Sequence, residues 1–196
     1  QRIESSSRGL TIDLGGIAKG AAVDRIITLL IERKVGHALV NAGGDLRVIG
    51  RSGGRQDERF WRVGIRHPRE AGLLGVIELK SGEAAFTSGD YERFYDYAGT
   101  RLHHILDPRT GYPVTHTQAI TVVAANGVTA DAAATALFVA GPDRWRQVAR
   151  ALDIGYALRV DASGELELTG PMRDRLIQAS GGDSDIMTPP DEDAPD

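Results

Sequence analysis

Short β-prone segments, repeatedly paired around glycine-bearing breaks, constrain the fold of this 196-residue chain more than any other feature. Phe94–Tyr97 and Arg101–Ile105 flank Ala98, Gly99 and Thr100, and Gly155–Val160 and Glu165–Leu168 flank Asp161–Gly164; both patterns predict hairpins. His37–Asn41 and Leu46–Gly50 read as strands around Ala42–Asp45, and Gly75–Lys80 and Ala84–Thr87 as strands around Ser81–Glu83. Phe60–Arg66 alternates apolar and polar side chains like a half-buried strand, whereas Ala119–Ala124 is apolar almost throughout. Arg51–Glu58 is a charged, glycine-containing loop. Helices are fewer. Ala21–Lys34 carries Val23, Ile26, Ile27, Leu30 and Ile31 at helical spacing, with Gly36 as its stop. Ala130–Ala140 is alanine-rich, Gly141 and Pro142 end it and open a second helix through Leu152, and a short piece lies near Arg173–Gln178. The pattern predicts an α+β fold, a largely antiparallel or mixed sheet packed with helices. No repeat or internal boundary appears, so residues 10–178 are expected to form one domain. Residues 1–9 should be a flexible lead-in, and 179–196 a disordered acidic tail rich in Gly, Asp and Pro.

Composition narrows the function. A net charge of −4 gives no basic field for nucleic acid. The absence of cysteine removes disulfides, thiol nucleophiles and cysteine–zinc sites together, and leaves the compartment open. No apolar run approaches the ~20 residues that span a bilayer. The chain opens on Gln1 with no signal-like segment, which predicts that an upstream part has been removed.

Five segments carry chemistry. A β-prone run, Leu10–Leu14, breaks at Gly15 and Gly16 and reopens at Gly20 into the first helix, with Lys19 set in the turn. Helix-terminal N–H groups, glycines that admit a ligand and a nearby cation suit a phosphate, although the segment is neither the dinucleotide fingerprint nor a P-loop. Asp131 and Thr135, four residues apart among alanines, share one helix face. Two hard oxygens without bulk suit Mg²⁺, while helix-terminus capping and hydroxyl back-bonding explain the same pair. His103 and His104 end a strand ahead of Asp107, Pro108, Thr110 and Gly111. Alternation sends their rings to opposite faces, so that one turns to an interior or a cleft, where it suits either proton transfer or a core imidazole held by a hydrogen bond. Metal-type histidine spacing is missing. Asn41–Asp45 and Thr87–Asp90 each offer glycines, oxygens and a carboxylate where a strand ends, as plain turns do and as nucleotide-holding loops do. With no nucleophile elbow around Ser88, a serine-hydrolase reading is weak.

Taken together and in this order, Asp13–Gly20, Val40–Asp45, Thr87–Tyr91, His104–Gly111 and Ala130–Ala136 resemble the ApbE family of flavin transferases, over about Leu10 to Ile177. The resemblance implies a tunnelling-fold-like α+β core and an FAD:protein FMN transferase, which moves FMN from FAD onto a Thr or Ser hydroxyl of a flavoprotein acceptor and releases AMP. It implies Mg²⁺ held by the side chains of Asp131 and Thr135 and the carbonyl of Ala18, with His104 as catalytic residue in preference to His103. Gly15, Gly16, Lys19, Asn41, Gly43, Gly44, Asp45, Thr87, Ser88 and Gly89 fall in segments that line the flavin nucleotide site, Lys19 also serving catalysis. It further implies a bacterial cell-envelope setting, periplasmic, with anchoring at the inner membrane through a missing N-terminus. Family members usually carry a sizeable portion ahead of the Asp13 motif that helps cover the flavin, and almost nothing precedes it here. That departure predicts either a piece of a longer protein or a short variant whose FAD site is open or completed by a partner. Two other readings keep the same site: an Mg²⁺-dependent FAD pyrophosphatase yielding FMN and AMP, and an FAD-binding domain without turnover.

Overall fold

Seven of the eight residues in the strand Thr117–Ala124 are buried, which requires a sheet covered on both faces. A computed structural model describes residues 9–53 and 59–177, and shows what provides the cover. The order is α1 (Ala18–Glu32), β1 (Ala38–Ala42), β2 (Asp45–Ile49), β3 (Trp61–Arg66), β4 (Leu73–Leu79), β5 (Ala84–Gly89), β6 (Phe94–Tyr97), β7 (Thr100–His103) and β8 (Thr117–Ala124). It continues with α2 (Gly127–Ala140), α3 (Trp145–Ala151), β9 (Tyr156–Asp161), β10 (Leu166–Leu168), α4 (Gly170–Arg175) and β11 (Leu176–Ile177). Six strands form the central sheet in the order β1-β2-β5-β8-β9-β10, and three form a second, β11-β4-β3. Every pairing is antiparallel.

Strand periodicity sorts the layers. Phe86, Ile120 and Val122 point to one face of the central sheet, where Val23 of α1, Leu137 of α2 and Trp145 of α3 meet them. Ala85, Val123 and Leu158 point to the other face, against Val63, Ile65, Ile77 and Leu79 of the small sheet. Each fully buried large side chain contributes roughly 1.5–3 kcal/mol, so the central sheet is stabilised from both sides.

The strands on either side of Ser81–Glu83 go to different sheets, while the other paired segments form hairpins. Ala42 pairs with Asp45 across Gly43 and Gly44, whose φ values of 67° and 91° are the doubly left-handed turn that glycine pairs favour. β6 pairs β7 around Ala98 and Gly99, and β9 pairs β10 as predicted.

Two expectations do not hold. Leu10–Leu14 joins no sheet and leaves Leu10, Ile12 and Leu14 exposed; β-propensity makes a strand only where a partner edge is offered. The first helix begins at Ala18 rather than Gly20, because Gly20 serves a helix crossing and not a helix start. A Cβ on Gly20 would lie 2.3 Å from the Gly127 carbonyl oxygen, and one on Gly127 would lie 2.7 Å from that of Gly20. The piece expected near Arg173–Gln178 is the helix Gly170–Arg175 followed by a two-residue strand. Residues 1–8, 54–58 and 178–196 lie outside the described residues, and with them the expected acidic tail 179–196 and all but Gly9 of the expected flexible lead-in 1–9. Among the described residues no helix is long and apolar enough to cross a membrane.

Candidate active site

The crossing of α1 and α2 brings the first motif to the last. Asp131, buried on α2, accepts the Gly20 N–H through Oδ2 at 2.8 Å. In return Asp24 on α1 accepts from Gly127 N at 2.7 Å and Val128 N at 3.0 Å, the open first turn of α2. Asn126 caps the same turn through the Thr129 N–H. Asp131 therefore caps the neighbouring helix and not its own, which removes the local-capping explanation of that residue. One turn on, Thr135 Oγ1 lies 3.2 Å from Ser88 Oγ at the end of β5. A methyl group on Gly16 would come within 3.2 Å of Thr135 Oγ1, so the glycine keeps a small recess open. Ala18 lies midway between these two contacts, at Gly16 and at Gly20.

That corner fits Mg²⁺. Asp131 Oδ1 makes no hydrogen bond with the described residues, and Thr135, one turn along the same helix, adds its own hydroxyl and that of Ser88. Among the described residues no three His, Cys, Asp or Glu side chains gather to hold a metal. A cage made only of side chains is therefore absent. One carboxylate, hydroxyls and a backbone carbonyl suit a hard ion that keeps waters and takes substrate phosphate oxygens for the remainder.

Lys19 joins this corner to a cleft. Its Nζ pairs with Asp45 Oδ2 at 2.5 Å. Burial works against its charge, but Asp45, Asp131 and Glu92 outweigh that and raise its pKa. Asp45 is almost fully buried, and burial pushes its pKa up while Lys19 and the Thr87 N–H, 2.9 Å from Oδ1, pull it back. Beyond Asp45 a cleft runs between the Gly43–Gly44 turn, Thr87 and Thr121 and the small-sheet residues Val63–Arg66. Thr87 Oγ1 and Thr121 Oγ1 lie 2.9 Å apart. The site thus has an apolar trough with a polar rim, ending at a lysine and an oxygen-rich recess. One half of a dinucleotide has that profile: a flat ring at one end, leading to the pyrophosphate that bridges to the other half.

The remaining nucleotide candidates serve the backbone. Asn41 Oδ1 accepts the Gly44 N–H at 2.8 Å and shapes the turn. Gly15 donates its N–H to Asp13 Oδ1 at 2.7 Å. Gly89 leaves room for the Tyr91 ring, which a Cβ there would meet at 2.4 Å. The Gly20 N–H, expected to face phosphate, is taken by Asp131; the Lys19 amide is the first-turn N–H that donates to no described residue.

The two histidines part as strand alternation predicts. His103 is buried, its Nε2 2.7 Å from the Val114 carbonyl and its Nδ1 accepting from Ile105 N at 3.2 Å, with its ring edge-on to Phe138. Those partners fix one neutral tautomer, a structural role. His104 is exposed, and its Nδ1 faces the Arg93 carbonyl at 3.3 Å. A carbonyl only accepts, so Nδ1 carries the proton and Nε2 keeps a free lone pair. Packing lowers the His104 pKa, the Arg93 carbonyl opposes that, and the charges on Arg93 and Lys19 lower it further. Burial thus favours the uncharged form of the His104 ring.

Sequence reasoning missed Asp24, Arg47 and Thr121. Arg47 Nη1 donates to Asp24 Oδ1 at 2.8 Å and steadies the carboxylate that holds the two helices together. Thr121 had a local signal, a lone hydroxyl in a buried strand. Asp24 had none, because the two N–H groups it caps lie more than 100 residues away.

The model of the ApbE family matches residues 1–158. An FAD:protein FMN transferase of Rhodobacter capsulatus is 42% identical over 180 residues, covering 92% of this chain and 34% of that protein. One from Treponema pallidum is 37% identical over 150 residues, covering 72% of this chain and 41% of its own. The crystal structure of an ApbE protein from Thermotoga maritima superposes with a TM-score of 0.78 at 41% identity, over 86% of this chain and 54% of that one. The apo flavinyl transferase ApbE of Pseudomonas stutzeri gives 0.69 at 34% identity, over 86% and 52%. The chain therefore spans between about a third and a half of the length of these relatives.

Proposed function

The chain belongs to the ApbE family, and we propose that it acts as an FAD:protein FMN transferase, moving FMN from FAD to a Thr or Ser hydroxyl of a flavoprotein acceptor and releasing AMP. The observation that carries this reading is the α1–α2 corner, where the Gly20–Asp131 bond and the Gly16–Thr135 fit set an oxygen recess beside Lys19.

The chemistry asks for little covalent work and much positioning. The cleft from Gly43 to Thr121 holds the nucleotide so that its pyrophosphate reaches Lys19. His104 Nε2 takes the proton of the incoming hydroxyl, whose oxygen forms a bond to the phosphorus on the FMN side. The bond from that phosphorus to the bridging oxygen breaks, and AMP leaves with the electron pair. Lys19, its charge secured by Asp45, and its free amide face the negative charge on the departing phosphate. Mg²⁺, held by Asp131, Thr135 and the Ala18 carbonyl, would supply a Lewis acid for the pyrophosphate oxygens. The relatives are bacterial, and we propose a cell-envelope, periplasmic setting.

The test is mass spectrometry of a flavoprotein acceptor after incubation with FAD, Mg²⁺ and this protein. An FMN-sized gain on a Thr or Ser is expected, and Asp131→Ala should abolish it. An acceptor of unchanged mass with AMP accumulating would replace transfer by hydrolysis. The exposure of His104 favours that second reading, since solvent reaches this residue; AMP release without any acceptor measures it directly.

A further inference from the structure

Beside His104, the β6–β7 hairpin and the loop down to Pro113 enclose a groove lined by Arg93, Phe94, Tyr95, Leu106 and Tyr112. Its apolar residues are far from buried: Phe94 is 42%, Leu106 50%, Tyr95 65% and Tyr112 73% exposed. Contiguous exposed aromatic surface of this kind marks recognition rather than folding, and Tyr and Arg are the residues that anchor protein interfaces. Among the described residues the hairpin pairs with no other strand, so its outer edges offer backbone groups to an extended segment.

Charge selects the occupant. Arg101 is matched by Asp90 and Asp96, each at 3.8 Å, and lies over the Phe94 ring. Arg109 is matched by Asp107, whose carboxyl it holds down at about 2. Arg93, on the groove wall, has no carboxylate partner among the described residues.

We propose that this groove docks the hydroxyl-bearing segment of the acceptor protein, a stretch with an apolar side chain beside the target Thr or Ser and a carboxylate for Arg93. The proposal rests on the transferase reading, because only a hydroxyl brought to His104 from outside needs such a surface. Tyr95, Leu106 and Tyr112 take the apolar side chain, and Arg93 sets the register that delivers the hydroxyl to His104 Nε2.

The test uses two fluorescein-labelled peptides of equal length, each with a central Thr flanked by leucines. One carries two aspartates and the other two lysines at the same positions. With FAD and Mg²⁺ present, anisotropy should show the acidic peptide binding about tenfold tighter, a difference of about 1.4 kcal/mol, and Arg93→Glu should reverse the preference. Tyr112→Ala should raise the KM for the acidic peptide with kcat and FAD affinity unchanged. Equal binding of both peptides, or an unmoved preference in Arg93→Glu, overturns the proposal. Weakened FAD binding in Tyr112→Ala would give the groove to the flavin, and a dimer-to-monomer change in sedimentation would give it to a second copy; either also overturns it. Peptide selectivity without any FMN-sized mass gain would fail the transferase reading and leave the docking surface standing, so the two failures are separable.

Discussion

Two adjacent histidines show how far a single residue's surroundings decide its use. His104 must be neutral to accept a proton, and its lowered pKa leaves it competent at neutral pH. Transfer should therefore fall as pH drops through a value below the ordinary imidazole ~6.5, and that acid limb should vanish in His104→Ala. The same variant should lose about 10²–10⁴ in single-turnover transfer while FAD titrations stay unchanged; a wild-type rate would end its role as base. His103→Ala should behave in the opposite way. It strands the Val114 carbonyl and the Ile105 N–H in the interior, which costs about 1–3 kcal/mol in urea denaturation, and the folded fraction should keep its kcat. Alternation in a strand made the difference between the two legible in advance. Which of them turned inward was not, since the Val114 carbonyl that seats His103 lies 11 residues further on.

Between elements, the decisive contact is the α1–α2 crossing, where two carboxylates exchange caps. Gly20→Ala drives a Cβ into the Gly127 backbone, which cannot swing aside as a side chain would. A loss of about 1–3 kcal/mol is expected from denaturant midpoints; an unchanged midpoint would show that the crossing is loose. Asp24→Asn keeps the shape but offers one acceptor oxygen where two now receive the Gly127 and Val128 N–H groups. It should weaken Mn²⁺ binding, read by electron paramagnetic resonance as a stand-in for Mg²⁺, together with thermal stability. Unaltered metal affinity in a destabilised variant would confine Asp24 to folding. The run Leu10–Leu14 teaches the converse lesson: its residues favour a strand, yet no sheet edge meets it.

At the scale of the whole molecule, the central sheet is a shared wall. Phe86→Ala on its helix side should cost about 3–5 kcal/mol. Trp145 packs in the helix layer and Trp61 belongs to the small sheet, so single-tryptophan variants report the two sides separately. Their unfolding midpoints should coincide, as one cooperative unit requires; two distinct midpoints would make the small sheet a separate body. The local signals were strong enough to determine the hairpins, the Gly43–Gly44 turn, the α+β class, the opposed histidines and the motif set that resembles the flavin transferases, because turn chemistry and side-chain alternation act over a few residues. Only the tertiary structure decided that Gly20 serves a crossing, that Asp131 caps the other helix, that Lys19 pairs with Asp45, and that an aromatic groove opens beside His104. Those contacts join residues far apart in the chain, and packing in three dimensions alone selects among the partners that local propensity leaves equally available.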